Sequence, residues 1–291
     1  MGVRRAVELA VDEAKRSDSV CVLGPLIHNP RVLSDLKALG IKIVDDDSND
    51  DAVGAAACVL DDYCSVIIRA HGISPSVEEK LRRSGARIID ATCPNVKANQ
   101  LKVYELVREG YYLFLAGELG HAEVTGLVGY ARLEPPDNER CFVVSNASEA
   151  RKKAFEVYKS NNDAKTALLG QTTISNQEYY AIGEGLKIFF PNLEIVSAIC
   201  FATEQRQQAL RELLPMADAF LIAGGKASAN TRRLFEIAKE SGKPCALVES
   251  ASEIPVEFFD YESVGLCAGA STPDSVIEEI ENLLLQSRRK F

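Results

Sequence analysis

Three histidines and two turn cysteines carry most of the chemistry open to this 291-residue sequence. His28, His71 and His121 are its only histidines, and each follows an apolar run. VCVLG leads into PLIHNP, SVIIRA into His71-Gly72, and YYLFLAG into ELGHAEV, where Glu123 stands beside His121. Imidazoles gathered at the ends of apolar runs suit an anionic ligand, because they donate hydrogen bonds and can take up charge near neutral pH. Other runs end in hydroxyl and amide groups. TALLG meets Thr172 and Thr173, AFLIAGG meets Lys226, Ser228 and Asn230, and VGLCAGA ends at Ser271. Ser and Asn in such places cap helices, and free N–H groups beside a hydroxyl also make a phosphate seat, so the structural and binding readings are compatible.

The eight cysteines are scattered, with no short CxxC pair, which speaks against a disulfide framework or a zinc knuckle. Most read as small buried apolar residues. Cys93 is different. In TCPN, Pro94 suits the first helical position and places Cys93 at the N-cap, where the helix dipole stabilises a thiolate. Cys200 stands in a similar setting. IIDATCPNVKANQLKVYELVREG and IVSAICFATEQRQQALRELLP share one design: apolar strand, small polar turn, Cys, then a helix rich in Asn, Gln and Arg. A lone cysteine of this kind could be a nucleophile. Two in repeated contexts read better as ligands of one shared centre, and three would supply an iron–sulfur cluster with one iron left open.

These residues need elements to hold them. Strands are expected at 20–24, 41–46, 65–72, 86–93, 111–118, 140–146, 166–173, 193–200, 219–225, 245–250 and 264–271, with amphipathic helical patterns between most of them. Such alternation predicts an α/β protein with mostly parallel sheets covered by helices, and ligands bind outside the carboxyl ends of such strands. The two cysteine modules lie about a hundred residues apart, and the opening helix MGVRRAVELA stands where a third copy belongs. Three modules are therefore expected, over 1–92, 93–198 and 199–291, and the strand and cysteine of the third copy are expected upstream of residue 1.

Composition bounds the function. Hydrophobic residues make up 46% and charged residues 26%, the range of an ordinary globular protein. No apolar run reaches the ~18 residues of a membrane span and no signal peptide is readable, so a cytoplasmic setting without membrane partners is expected. A formal charge of −9 argues against nucleic acid as a partner, while leaving room for a small anion. A hydrolase using His121 and Glu123 with a divalent metal lacks a sufficient ligand set.

GPLIHNPRV, RAHGISP, IDATCPNV, GHAEVTGLVG, GQTT, ICFATEQRQ, KASANTRRL and AGASTPDSVIEEI together resemble the 4-hydroxy-3-methylbut-2-enyl diphosphate reductase family of the non-mevalonate isoprenoid pathway. They stand in the family's order and cover nearly the whole chain. The resemblance implies three small α/β domains in pseudo-threefold arrangement around a central pocket, with a [4Fe-4S] cluster held by one cysteine from each. Cys93 and Cys200 match the second and third of those ligands. His28, His71, His121, Thr172, Ser228, Asn230 and Ser271 match substrate-binding positions, with Glu123 as proton donor and Thr172 and His121 assisting it. The implied reaction is reductive dehydroxylation of the allylic diphosphate to isopentenyl and dimethylallyl diphosphate, with electrons from a ferredoxin or flavodoxin.

Three departures qualify the match. MGVRRAV aligns only with the part of the family's Gly-Phe-Cys-x-Gly-Val-like motif that lies after its cysteine, with Met1 at the x position, so the first cluster cysteine is absent. Ala229 stands where a second serine is usual, and SAIC lacks the acidic residue often found before that cysteine. The alternative expectation is a cluster-deficient, diphosphate-binding or regulatory relative without reductase activity.

Overall fold

The computed structural model describes residues 2–44, 65–133, 140–197 and 199–288. Positions 45 and 46 of the expected second strand, together with Cys58 and Cys64, lie outside the described residues. All eleven expected strands occur: β1 (Val20–Leu23), β2 (Lys42–Val44), β3 (Ser65–Ile68), β4 (Arg87–Asp90), β5 (Tyr112–Ala116), β6 (Cys141–Val144), β7 (Thr166–Gly170), β8 (Glu194–Ile195), β9 (Ala219–Ala223), β10 (Cys245–Val248) and β11 (Val264–Ala268). The helices are α1 (Gly2–Ala14), α2 (Pro30–Ala38), α3 (Pro75–Arg83), α4 (Pro94–Arg108), α5 (Ala122–Ala131), α6 (Ala147–Ser160), α7 (Asn176–Lys187), α8 (Phe201–Leu213), α9 (Ala229–Glu240) and α10 (Asp274–Arg288). No helix among the described residues is long and apolar enough to cross a membrane.

The strands form three sheets, in the orders β2-β1-β3-β4, β6-β5-β7-β8 and β10-β9-β11, and every pairing among the described residues is parallel. One topology thus recurs: the first strand of each set is central, the second is an edge, and the third returns to the first strand's other side. The central strands β1, β3, β7 and β9 are buried along their whole length, while the edges β2, β4, β6 and β10 are only partly so. Continuous apolar runs such as AFLIA and TALLG are what a parallel sheet covered on both faces requires.

β8 is shorter than the sequence suggests. It pairs only Ala167 with Glu194 and Leu168 with Ile195, and the Val196 N–H makes one further bond to the Leu168 carbonyl before the chain leaves the sheet for Cys200. It is an edge strand whose Ile195 is largely exposed, so little burial holds it to the ladder.

Two compact units divide the chain. The first contains residues up to Leu26 and from Leu36 to Ile199, and so holds both four-stranded sheets; the second contains Ile27–Asp35 and everything from Cys200 onward. Within the first, alternate residues of β5 face opposite layers, as period-two geometry demands. Phe114 packs with Leu168, Ile182 and Leu186 toward α6 and α7, while Leu113 and Leu115 pack with Val103, Leu106 and Leu127 on α4 and α5. In the second unit Phe220 and Ile222 meet Leu210 of α8 and Leu234 of α9, and Leu221 meets Val276 and Ile280 of α10. Each fully buried Phe or Leu contributes roughly 2–3 kcal/mol from removal of apolar surface. These cores fix the strand ends.

The residues at the strand ends also repeat. His28, His121 and Ser228 each stand five positions beyond the first strand of their set, and His71 and Ser271 stand three beyond the third. Cys93 and Cys200 come after the fourth strands, β4 and β8, and open α4 and α8.

Candidate active site

Glu123 is a buried carboxyl with a strongly raised pKa. It lies in the first turn of α5, where a carboxylate is favoured by the helix dipole, yet it is only 1% exposed. Its partner arrives from β7. The Thr172 backbone N–H donates to Oε1 at 2.8 Å, and the Thr172 hydroxyl donates to Oε2, also at 2.8 Å. Burial lifts the carboxyl from an ordinary 4.5 to about 7, and the two Thr172 bonds pull it back only in part. A buried carboxyl half-protonated near neutral pH, with a hydroxyl in contact, is equipped to hand over a proton.

His121 is the N-cap residue of α5, and its Nδ1 accepts the Glu123 N–H at 3.2 Å. While Nδ1 accepts that bond, the ring's donor is Nε2. The His71 ring meets His121 edge-on, with centroids 5.4 Å apart. Gly72 holds this arrangement together. Its φ of +72° is left-handed, and a Cβ there would collide with the Gln100 amide. Gln100 is buried on α4 and donates to the Ile73 carbonyl at 3.5 Å, so the loop bearing His71 is fastened to the helix that Cys93 opens.

Cys93 caps α4 as Pro94 predicts, and its thiol makes no capping hydrogen bond. The Cys93 N–H donates to the Ala70 carbonyl at 2.9 Å, tying the turn to the end of β3. Gly2 packs directly against the Cys93 side chain. Thus His71, Cys93, His121, Glu123 and Thr172 all belong to the first unit, where Glu123 touches Thr172 and His71 touches His121.

The remaining predicted residues, His28, Cys200, Ser228, Asn230 and Ser271, belong to the second unit. Cys200 caps α8, again without a side-chain capping bond. Ser228 caps α9, its oxygen accepting the Thr231 N–H at 3.4 Å, which leaves its own proton to donate. Asn230 is buried with neither amide atom hydrogen-bonded, and the buried Ser271 hydroxyl is likewise unpaired. The His28 carbonyl lies against Gly225, where any Cβ would overlap it. Orphaned buried polar groups cost stability, and a ligand that pairs them removes the cost. Asn230 in the first turn of α9, and Ser271 after β11, thus offer unspent polar groups that suit an anion.

Sequence reasoning missed several supporting residues. Gln171 bridges loops, accepting the Glu118 N–H at 3.1 Å and donating to Thr173 Oγ1 at 2.7 Å. Gln100 and Gln207 each stand seven positions after a turn cysteine, an offset that the paired motifs display and that could have flagged them. The Thr231 hydroxyl and the Gln207 amide nitrogen are further unpaired buried groups in the second unit. Of the other described cysteines, Cys21 is wholly buried in β1, and burial in β11 pushes the Cys267 thiol up, disfavouring the thiolate.

A family model described as LytB protein matches residues 1–285. Curated relatives include the 4-hydroxy-3-methylbut-2-enyl diphosphate reductases of Treponema denticola, 41% identical over 98% of this chain and 95% of the relative, and of Aquifex aeolicus, 38% identical over 97% and 91%. Among solved structures, the E-1-hydroxy-2-methyl-but-2-enyl-4-diphosphate reductase of Plasmodium falciparum superposes with a TM-score of 0.85 at 28% identity, covering 97% of this chain and 83% of that one. A second, titled (E)-4-hydroxy-3-methyl-but-2-enyl diphosphate reductase, gives 0.66 at 36% identity over 98% and 95%.

Proposed function

The chain belongs to the LytB protein family, and we propose that it carries out reductive dehydroxylation of 4-hydroxy-3-methylbut-2-enyl diphosphate with Glu123 as the acid that releases the hydroxyl as water. The enzyme class comes from the family, whose curated relatives carry the reductase name at 34–41% identity across nearly the full chain. Two electrons and two protons convert the allylic alcohol to isopentenyl or dimethylallyl diphosphate and water. The observation that carries the assignment of Glu123 is its burial with both carboxyl oxygens on Thr172 and its proton held to about 7.

Hydroxide is a poor leaving group, so a proton must reach the departing oxygen as the C–O bond breaks. When Glu123 is protonated, Oε2 can donate to Thr172 Oγ1, and the Thr172 proton is then free to pass onward. Replacing Thr172 by Val is expected to lower kcat by about 10²-fold with little change in KM, and Ser is expected to restore most of it. Steady-state kinetics of the two variants check this.

The diphosphate is assigned to Ser228, Asn230 and Ser271 with the N-terminus of α9, and to His28, His71 and His121. The unpaired Asn230 and Ser271 groups support that assignment. Ala229, the first residue of α9, offers no donor. Ala229→Ser is expected to tighten substrate binding about five-fold, the worth of one hydrogen bond, as read by calorimetric titration.

Cys93 and Cys200 are proposed as ligands of a [4Fe-4S] cluster. Two soft sulfur donors at helix N-termini, neither spent on capping, fit iron. When bound, such a cluster supplies electrons and a Lewis-acidic iron. A ferredoxin or flavodoxin in the cytoplasm is the proposed electron source. Three modules over 1–92, 93–198 and 199–291, each built on one sheet, complete the proposal.

The test is turnover with reduced ferredoxin of the anaerobically reconstituted protein, extended upstream of residue 1 through the strand and cysteine that the family resemblance implies. Formation of both C5 diphosphates is expected; tight substrate binding without product would instead indicate a diphosphate-binding relative.

A further inference from the structure

The helix α1 is fixed to the Cys93 turn by one side chain. Arg5 donates from Nη1 to the Thr92 carbonyl at 3.2 Å and from Nη2 to the Asp90 carbonyl at 3.4 Å. Asp90 is the last residue of β4 and Thr92 immediately precedes Cys93, so the two carbonyls bracket the short turn that links them. The turn is braced from within as well, since Asp90 Oδ1 accepts the Thr92 N–H at 2.9 Å. At the opposite end of α1 the buried Glu13 accepts the Ser65 hydroxyl at 2.6 Å and meets Arg87 at 3.4 Å. The helix is therefore anchored at both ends, and its first residues have little freedom to slide.

Gly2 lies one turn before Arg5, pressed onto Cys93. A Cβ on Gly2 would overlap both Sγ and Cβ of that cysteine, so the Cys93 side chain or α1 would have to shift. The thiol is thus confined from one side by bare backbone, while the guanidinium fork sets the turn that aims it. A planar fork spanning two carbonyls does what a lysine, a single point charge, cannot.

We propose that Arg5 and Gly2 are positioning residues for the Cys93 thiol, Arg5 by clamping the Asp90 and Thr92 carbonyls and Gly2 by admitting the sulfur against α1. This rests on the reading of Cys93 as a cluster ligand. Neither residue touches substrate, and each acts through the cysteine.

The test uses the full chain as wild type, Arg5→Met, Arg5→Lys, Gly2→Ala and Cys93→Ala. In metal-free protein at one fixed pH, iodoacetamide labelling of Cys93 and of Cys200 is followed by peptide mass spectrometry. Arg5→Met and Gly2→Ala are expected to change the Cys93 rate by about five-fold or more, as loss of a charge-assisted hydrogen bond or a forced displacement implies, with Cys200 unchanged. Arg5→Lys is expected to fall between Met and wild type. After anaerobic iron and sulfide loading, a chelator should strip iron faster from Arg5→Met than from wild type. Unchanged Cys93 labelling in both variants, or equal changes at Cys200, would overturn the proposal. If Cys93 labelling shifts as expected but Cys93→Ala holds a full iron complement, the positioning stands and the ligand reading falls.

Discussion

Glu123→Gln is expected to lower kcat by about 10³-fold while leaving the substrate's Kd within about two-fold of wild type. Gln keeps the shape, and its side-chain oxygen can still accept from Thr172, so the pocket should hold. It has no proton to give. The parent's pH profile should carry the same signature, with kcat falling as pH rises through about 7, where the buried carboxyl loses its proton. Stability must change in step. The folded-state value of about 7 lies above the ordinary 4.5, so the neutral carboxyl's contribution is fully present below 4.5 and is lost as pH rises through 7. The shift corresponds to about 3 kcal/mol, so the stability of Glu123→Gln relative to the parent should rise between pH 5 and pH 8. Urea unfolding at the two pH values reads that difference directly. Equal losses in Kd and kcat would point instead to a structural role for Glu123.

Cys93→Ala and Cys200→Ala are each expected to abolish turnover, falling by more than about 10³-fold, and to lose most of the iron taken up on anaerobic reconstitution. The two thiols sit at helix N-termini, and neither is spent on a capping hydrogen bond. Cys141→Ala supplies the control. Burial drives that thiol up to about 12, the opposite of what a metal ligand needs, so its loss should leave iron binding intact. Iron per chain in the variants, with Glu123→Gln retaining a full complement, separates the ligand set from the acid. Retention of iron by Cys93→Ala or Cys200→Ala would remove that residue from the set.

Much of this was legible because strands in covered parallel sheets announce themselves as short apolar runs between helical patterns. AFLIA and TALLG could hardly be anything else. The expected strands overshot at their carboxyl ends, since residues such as His71 and Cys93 belong to turns where chemistry, not ladder pairing, sets the backbone. The repeat around Cys93 and Cys200 was visible in sequence, and it reappears as one strand order in the two four-stranded sheets.

Contacts across long sequence separations were not legible. Glu123 and Thr172 stand 49 positions apart, and no periodicity links them; only the family resemblance paired them before the geometry did. Gln171 went unassigned beside two threonines, because a glutamine at a strand end reads as solvated until its two bonds are seen. Arg5 was equally silent. An exposed arginine on an amphipathic helix looks like surface, and its importance lies in two backbone carbonyls 85 and 87 positions away.

The proton on Glu123 is the centre of the account, and infrared difference titration of the wild-type enzyme, with Glu123→Gln as the blank, observes it directly. The account predicts a carboxyl signal that disappears with a midpoint near 7. A midpoint near the ordinary 4.5 would show an ionised Glu123 at neutral pH and contradict its role as the acid.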